Sequence, residues 1–375
     1  MKRMEDALGD MARLRRTIEE SPFDAVVAVS PENVRYAGDV HISTQKGIRD
    51  RLALIVWAKS HDPIFIVCQV EEAYVRQESW IQDIRRYKEF VLSPVSVLAD
   101  VLEELGLGAG NVGIELAYLA ATYYRALVDR LPKLRLAPCE AVFEGVRMIK
   151  TARERALMRN AFRSTEKAML ATYIGVRAGD SEKDLANRLA NAIMLSGADE
   201  VAFNHINAGP NTGFPHMAAS DYRVCDGDIV KADSGGYYRE YMSNVGRTAK
   251  VGKPSPEDLS YWKRLREIHH EIIAMARPGN TGRQLFEAAT RLYAKHGLPF
   301  PFAHNGHGIG LQVHEHTLIS PHEEIAYEPG MVTTVETHVR WVGKVGYHME
   351  DLIEITEGAP KLLSDYFDNE EILVV

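Results

Sequence analysis

At 375 residues the chain has room for two domains, each with its own core. Hydrophobic content of 46%, charged content of 26% and a formal net charge of −8 fit an ordinary globular enzyme and leave no basic stripe for nucleic acid. Cys68, Cys139 and Cys225 are too scattered for a disulfide framework or a thiolate metal site, and no run approaches the roughly 18 apolar residues of a membrane span.

Met4, Leu8, Met11, Leu14 and Ile18 recur at helical spacing and predict an amphipathic first helix. Acidic residues mixed with basic ones there exclude a secretory leader and argue against a transit peptide, so a cytoplasmic protein is expected. Ala25–Val29, Leu52–Trp57 and Ile64–Val67 predict short buried strands. Pro94–Leu105 and Ala117–Leu131 predict helices, with a strand at Val112–Glu115 between them. This alternation implies an α/β domain over residues 1–145, without a phosphate-binding loop. Within it, Val40–Arg51 is strongly polar. It reads either as a solvated loop or as a source of substrate contacts, with Arg49 and Arg51 suited to a carboxylate.

From Thr151 the pattern changes, and residues 146–375 read as a second domain. Ala152–Ile174 predicts a long helix. An internal repeat follows: Arg177-Ala-Gly179-Asp-Ser181, with Leu185 and Gly197, recurs 100 residues later as Arg277-Pro-Gly279-Asn-Thr281, with Leu285 and Gly297. Ser181 and Thr281 are suited to cap helices that end before those glycines. Each repeat then leads into a strand, one carrying Asp233 and the other Glu336, which predicts two similar halves facing a central cleft.

The stretch from His216 to Glu350 holds the candidate chemistry. Asp233 ends a strand-like run expected to turn at Ser234-Gly235-Gly236, so that Asn244 on the returning strand faces it. His307 lies in Gly306-His307-Gly308-Ile309-Gly310, where glycines permit close approach of a ligand. Glu336 and Glu350 lie on two further apolar strands. Carboxylates and an imidazole converging from separate strands are costly to bury unless paired, protonated or metal-bound. Oxygen and nitrogen donors without thiolate suit Mn, Co, Fe or Zn.

In identity and spacing these residues resemble the creatinase/prolidase/methionine-aminopeptidase family, the peptidase M24 group. The resemblance implies an α+β protein: a pita-bread catalytic domain preceded by a creatinase-type N-terminal α/β domain. It implies divalent-metal ligands at Asp233, Asn244, His307, Glu336 and Glu350, with His216 and His314 on the substrate side and Glu336 shuttling a proton. It further implies hydrolysis of a C–N bond in a short peptide or other small molecule by a homodimer, with no nucleic-acid or membrane partner. In creatinase-like relatives the region equivalent to Val40–Arg51 reaches the partner subunit's site.

The sequence departs from the family pattern at three places. Asn244 stands where the family has a second acidic ligand, His348 where it has arginine, and Thr337-His338 where Pro-Gly commonly follows the glutamate. A neutral amide cannot repeat a bridge between two ions, so one ion or none is expected. Three readings stay open: a metal-dependent Xaa-Pro dipeptidase or aminopeptidase, a creatinase-like hydrolase of a small amide, guanidino or cyclic amidine compound, and a non-catalytic binding protein. Retention of His216 and His314 beside Glu336 argues against the last.

Overall fold

Runs in which every residue is apolar have no face to offer to water, and Leu54–Ala58 and Ile64–Cys68 accordingly become inner strands of a sheet. The structure, a computed structural model, describes residues 2–48, 50–300 and 302–375. Arg49, one of the expected substrate contacts, lies outside them. Packing divides the chain into units Met1–Arg147 and Met148–Val375.

The first unit contains α1 (Met11–Glu20), β1 (Ala25–Ala28), α2 (Pro31–Gly38), α3 (Ser43–Gly47), β2 (Leu54–Ala58), β3 (Ile64–Cys68) and α4 (Glu72–Glu78). It continues with β4 (Asp83–Tyr87), α5 (Pro94–Glu104), β5 (Asn111–Ile114), α6 (Ala121–Arg130), β6 (Arg135–Pro138) and α7 (Glu140–Arg147). Its strands form a mixed six-stranded sheet in the order β4-β3-β2-β1-β5-β6. The first helix begins later than its apolar spacing predicts, because Asp10 caps it by accepting a hydrogen bond from Arg13 N at 2.8 Å. The polar stretch is not simply a solvated loop. It contains α3, whose buried Gln45 donates to Val29 O at 2.7 Å and so ties the segment to β1.

The second unit contains α8 (Ala152–Ile174), α9 (Glu182–Leu195), β7 (Glu200–Ala208), β8 (Ile229–Tyr238), β9 (Tyr241–Met242), β10 (Val245–Lys250), α10 (Pro256–Met275) and α11 (Gly282–Lys295). After these come β11 (His307–Gly308), β12 (Glu315–Leu318), β13 (Val332–Trp341), β14 (Val345–Glu354), β15 (Lys361–Leu362) and β16 (Leu373–Val374). The sheet runs β12-β11-β13-β14-β10-β8-β7, with the three short strands attached beside this path. The sequence repeat is visible in it. Ser181 and Thr281 each cap a helix through a reciprocal pair with the residue three positions on, and Gly197 and Gly297 follow those helices with φ of 100° and 64°. One half supplies β7, β8 and β10, the other β11, β13 and β14, and β10 meets β14 at the centre.

That central junction is sparsely laddered. Among the described residues one backbone pair, Gly246 with Glu350, joins β10 to β14. Side chains add to it: Thr248 Oγ1 donates to His348 O at 2.8 Å and accepts from His348 N at 2.9 Å.

The expected turn after Asp233 is displaced. β8 continues to Tyr238, and the chain reverses at Arg239 and Glu240, whose φ values of 51° and 71° give a tight hairpin. Gly235 instead admits a backbone: a Cβ placed there would lie 1.8 Å from Ser243 O. The register sets Gly246 opposite Asp233, with Asn244 two residues along on the same side.

Candidate active site

In a strand, residues i and i+2 share a face, and in this sheet one face is densely ionisable. Lys231 and Asp233 share it on β8, Glu336, His338 and Arg340 on β13, and His348 and Glu350 on β14. The register sets His205 opposite Asp233, Glu336 opposite Glu350, and His338 opposite His348. Together with His216, Asn244, His304, His307 and His314, most of these line a cavity of about 610 Å³. Glu350 is fully buried and reaches the group through Asn244.

Of the residues expected from sequence, Asp233, Asn244, His307, Glu336, Glu350, His216 and His314 are therefore brought together. Asn244 Nδ2 donates to Glu350 Oε1 at 2.8 Å and lies 3.5 Å from His307 Nε2. His307 Nδ1 lies 3.0 Å from the Gly308 carbonyl, which makes Nδ1 the protonated nitrogen and turns the Nε2 lone pair toward Glu350, 3.8 Å away. His216 is exposed at the rim, with Nε2 3.7 Å from Asp233 Oδ2, and its ring lies 5.2 Å from that of His205. The His314 ring lies 4.4 Å from His307. Arg51 belongs to the first unit, where its guanidinium is held by both carboxylate oxygens of Glu89, at 2.9 Å each.

The electrostatics are those of a crowded acidic pocket. Burial, and then the charges of Glu336 and Asp233, push the Glu350 carboxyl well above its ordinary range. Burial alone would raise Glu336 too, but His304, His348 and His307 outweigh it and hold it well below that range. His304 Nδ1 lies 2.9 Å from Glu336 Oε1, though off the hydrogen-bonding axis, so both atoms lack an aligned partner. Burial lowers His307 to about 4, which keeps its ring neutral and available as a donor.

Buried oxygens without partners mark where a cation fits. Asp233 Oδ1, Asn244 Oδ1, Glu336 Oε1 and Glu350 Oε2 are all buried and unpartnered. With the His307 lone pair they make an oxygen-and-nitrogen donor set for a borderline divalent ion. They fit one ion better than two, since Asn244 contributes a single neutral oxygen.

Behind the sheet, side chains of opposite parity hold these strands in place. Arg247, fully buried, donates to Glu166 and, at 2.7 Å, to Asp351. Asp351 also meets His269 Nε2 at 3.0 Å, and His269 Nδ1 meets Thr337 Oγ1 at 2.9 Å. The helices α8 and α10 are thus pinned to β10, β13 and β14.

Sequence reasoning passed over His205, His304, Lys231 and Arg340. Three of the four carried a signal. Lys231-x-Asp233 and Glu336-x-His338-x-Arg340 are period-two patterns on strands already identified, and His304 sits one turn ahead of the glycine-rich loop. His205 becomes visible only through its cross-strand pairing.

Comparison with known proteins agrees with this construction. The model of metallopeptidase family M24 matches residues 156–357, and that of the creatinase/prolidase N-terminal domain matches residues 11–149. A Xaa-Pro dipeptidase of Pyrococcus furiosus is 26% identical over 94% of this chain and 97% of its own. An uncharacterised peptidase of Bacillus subtilis is 31% identical over 94% of this chain and 97% of its own. The crystal structure of the dipeptidase PepE from Mycobacterium ulcerans superposes with a TM-score of 0.85 at 26% identity, covering 97% of this chain and 96% of that one. With more than half its length matched by the family model and near end-to-end similarity to peptidases, the chain belongs to metallopeptidase family M24 and is a hydrolase on the pita-bread fold.

Proposed function

We propose that the protein is a dipeptidase that cleaves short peptides of the Xaa-Pro type. The observation that carries this is the division of charge around the cavity. Asp233, Glu350 and Glu336 fall in one row across the strands, whereas Lys231 and Arg340 come two and four residues further along on the same face. A zwitterionic dipeptide matches this layout, its ammonium toward the acids and its carboxylate toward the cations. The Xaa-Pro dipeptidases among the relatives support the same substrate class.

Asp233, His307, Glu336 and Glu350, with Asn244 as a neutral donor, would hold one divalent ion, Mn, Co, Fe or Zn, which supplies a bound water acidified toward neutral pH. Glu336 accepts and returns the proton, helped by its ion-pair contact with His304. His216 and His314, at the mouth of the cavity, orient the scissile amide and meet the negative charge that develops on its oxygen. Arg340, half-buried and stacked over Phe302 with its guanidinium carbon 4.8 Å from the ring centre, is held ready for a carboxylate.

A homodimer in the cytoplasm belongs to this proposal, with Arg49 and Arg51 on the substrate side. Phe90, 97% exposed, and its exposed neighbours Val91 and Leu92 offer an apolar turn for a partner subunit to cover. In the monomer Arg51 is engaged by Glu89, so its contact with substrate requires exchange of that ion pair.

A second reading is favoured by one contact. Asn244 Nδ2 donates to Glu350 Oε1 at 2.8 Å, a neutral contact of the kind that a creatinase-like hydrolase of a small amide or guanidino compound, with one ion or none, would use. One experiment separates the two. Purified protein is incubated with Mn²⁺ or Co²⁺ and with a panel of Xaa-Pro dipeptides, guanidino acids and cyclic amidines, and released amine is measured. Proline release is expected, and Glu336→Gln should lower kcat by about 100-fold or more without changing the melting temperature. Turnover confined to guanidino compounds, unaffected by chelator, would replace the first reading with the second.

A further inference from the structure

Two of the departures from the family pattern, His338 and His348, are cross-strand partners on β13 and β14, with ring centroids 5.4 Å apart. Glu336 is two residues from His338 on the same face. One carboxylate oxygen of Glu336 and one nitrogen from each ring lie within 4.8 Å of one another. Both Nε2 atoms are buried and have no hydrogen-bond partner. His348 is only 4% exposed. Such atoms in a native interior call for an explanation by a ligand.

The space for His348 is made by its neighbour across the central seam. A Cβ on Gly246 would fall 2.5 Å from the His348 ring, so the imidazole lies flat against bare backbone. The nearby cations have partners of their own: Lys231 Nζ donates to Phe214 O at 2.6 Å, and Arg340 stacks on Phe302. Two imidazoles and one carboxylate gathered on one face leave further coordination positions open. That donor set selects zinc, ferrous iron or cobalt over magnesium or calcium, which favour all-oxygen shells.

We propose that His338, His348 and Glu336 form a three-ligand site for a borderline divalent cation, beside the cluster of Asp233, Asn244, His307 and Glu350 and sharing Glu336 with it. The two histidines compensate for the acidic ligand replaced by Asn244. The lost carboxylate is made good not at position 244 but by two neutral donors further along β13 and β14. This inference does not depend on the peptide substrate, because occupancy is read without turnover.

The test uses the full chain stripped with a chelator and titrated with Co²⁺, followed by visible absorption and elemental analysis. His338→Gln and His348→Gln should each weaken binding of this ion by at least about 100-fold, beyond what loss of a supporting group alone costs. His307→Gln should leave its absorption band in place. Unchanged cobalt affinity and spectra in both His338→Gln and His348→Gln, with unchanged melting temperatures, would overturn the proposal. Should either variant misfold, X-ray absorption on His307→Gln protein carrying one Co²⁺ decides. Two imidazole nitrogens around the metal are expected, whereas fewer than two defeat the proposal.

Discussion

At Asn244 the nitrogen end of the amide faces Glu350 and the oxygen end has no partner. Replacing that nitrogen with oxygen keeps the volume and sets two carboxylates at hydrogen-bonding distance. They can coexist there only with a proton or a cation between them. Asn244→Asp is therefore expected to bind more metal than wild type at the Asp233, His307, Glu336 and Glu350 cluster, and to melt higher in metal than in chelator by a wider margin than wild type. Calorimetry with and without Mn²⁺ checks this. Equal stoichiometry and an unchanged melting gap would make Asn244 a neutral replacement in an ordinary dinuclear site.

Among the elements, β10 is the one most dependent on a single side chain. Arg247 on its rear face is fully buried between Glu166 of α8 and Asp351 of β14, so three elements share one charge network. Removing the cation leaves two buried acids with hydrogen bonds but without the positive charge between them. Arg247→Met should destabilise the protein by about 3–5 kcal/mol in urea denaturation, and Glu166→Gln in the same background should recover part of that loss. A loss below about 1 kcal/mol, the scale of an exposed ion pair, would mean the network is not what joins these elements. The elements themselves were legible to different degrees. The long helix α8 and both capped repeat helices follow from apolar spacing, Thr151, Ser181 and Thr281, because capping chemistry is local. The hairpin after Asp233 was legible but the place of its turn was not, because Gly235 answers to Ser243 in space rather than to a turn in sequence. The same limit hid His205, which owes its place beside Asp233 to strand register. Within the site, acids and imidazoles at family positions could be read, whereas Lys231 and Arg340 needed the second residue of an alternating pair to be counted as well.

Over the whole molecule, acid is the condition that should expose how the second unit is tied together. Asp258, at the start of α10, accepts from Tyr347 Oη at 2.5 Å and from Ser255 N at 2.8 Å, and pairs with Lys250 Nζ at 2.9 Å. Burial alone would raise its carboxyl, but these partners hold it at about 2, below the ordinary 3.8. Its stabilising contribution is complete above about pH 4 and disappears as pH falls toward 2. Asp258→Asn should thus melt below wild type at neutral pH, and the gap should close between pH 4 and 2. A gap that stays constant with pH would show that Asp258 acts through shape alone. The sparse ladder between β10 and β14 bears on how such a molecule moves. A sheet resists bending through its backbone ladder, and here the ladder thins to Gly246 and Glu350 midway between the two repeat halves. The cleft lies across that line, with Asp233 on one side and Glu336 on the other. The line is a crease in the backbone ladder, spanned by side chains of Thr248 and Arg247, and bending along it would change the spacing between the acids of the two halves. Glycine at 246 therefore serves both the imidazole resting on it and the give of the sheet, so a single substitution there would change ligand geometry and breathing together.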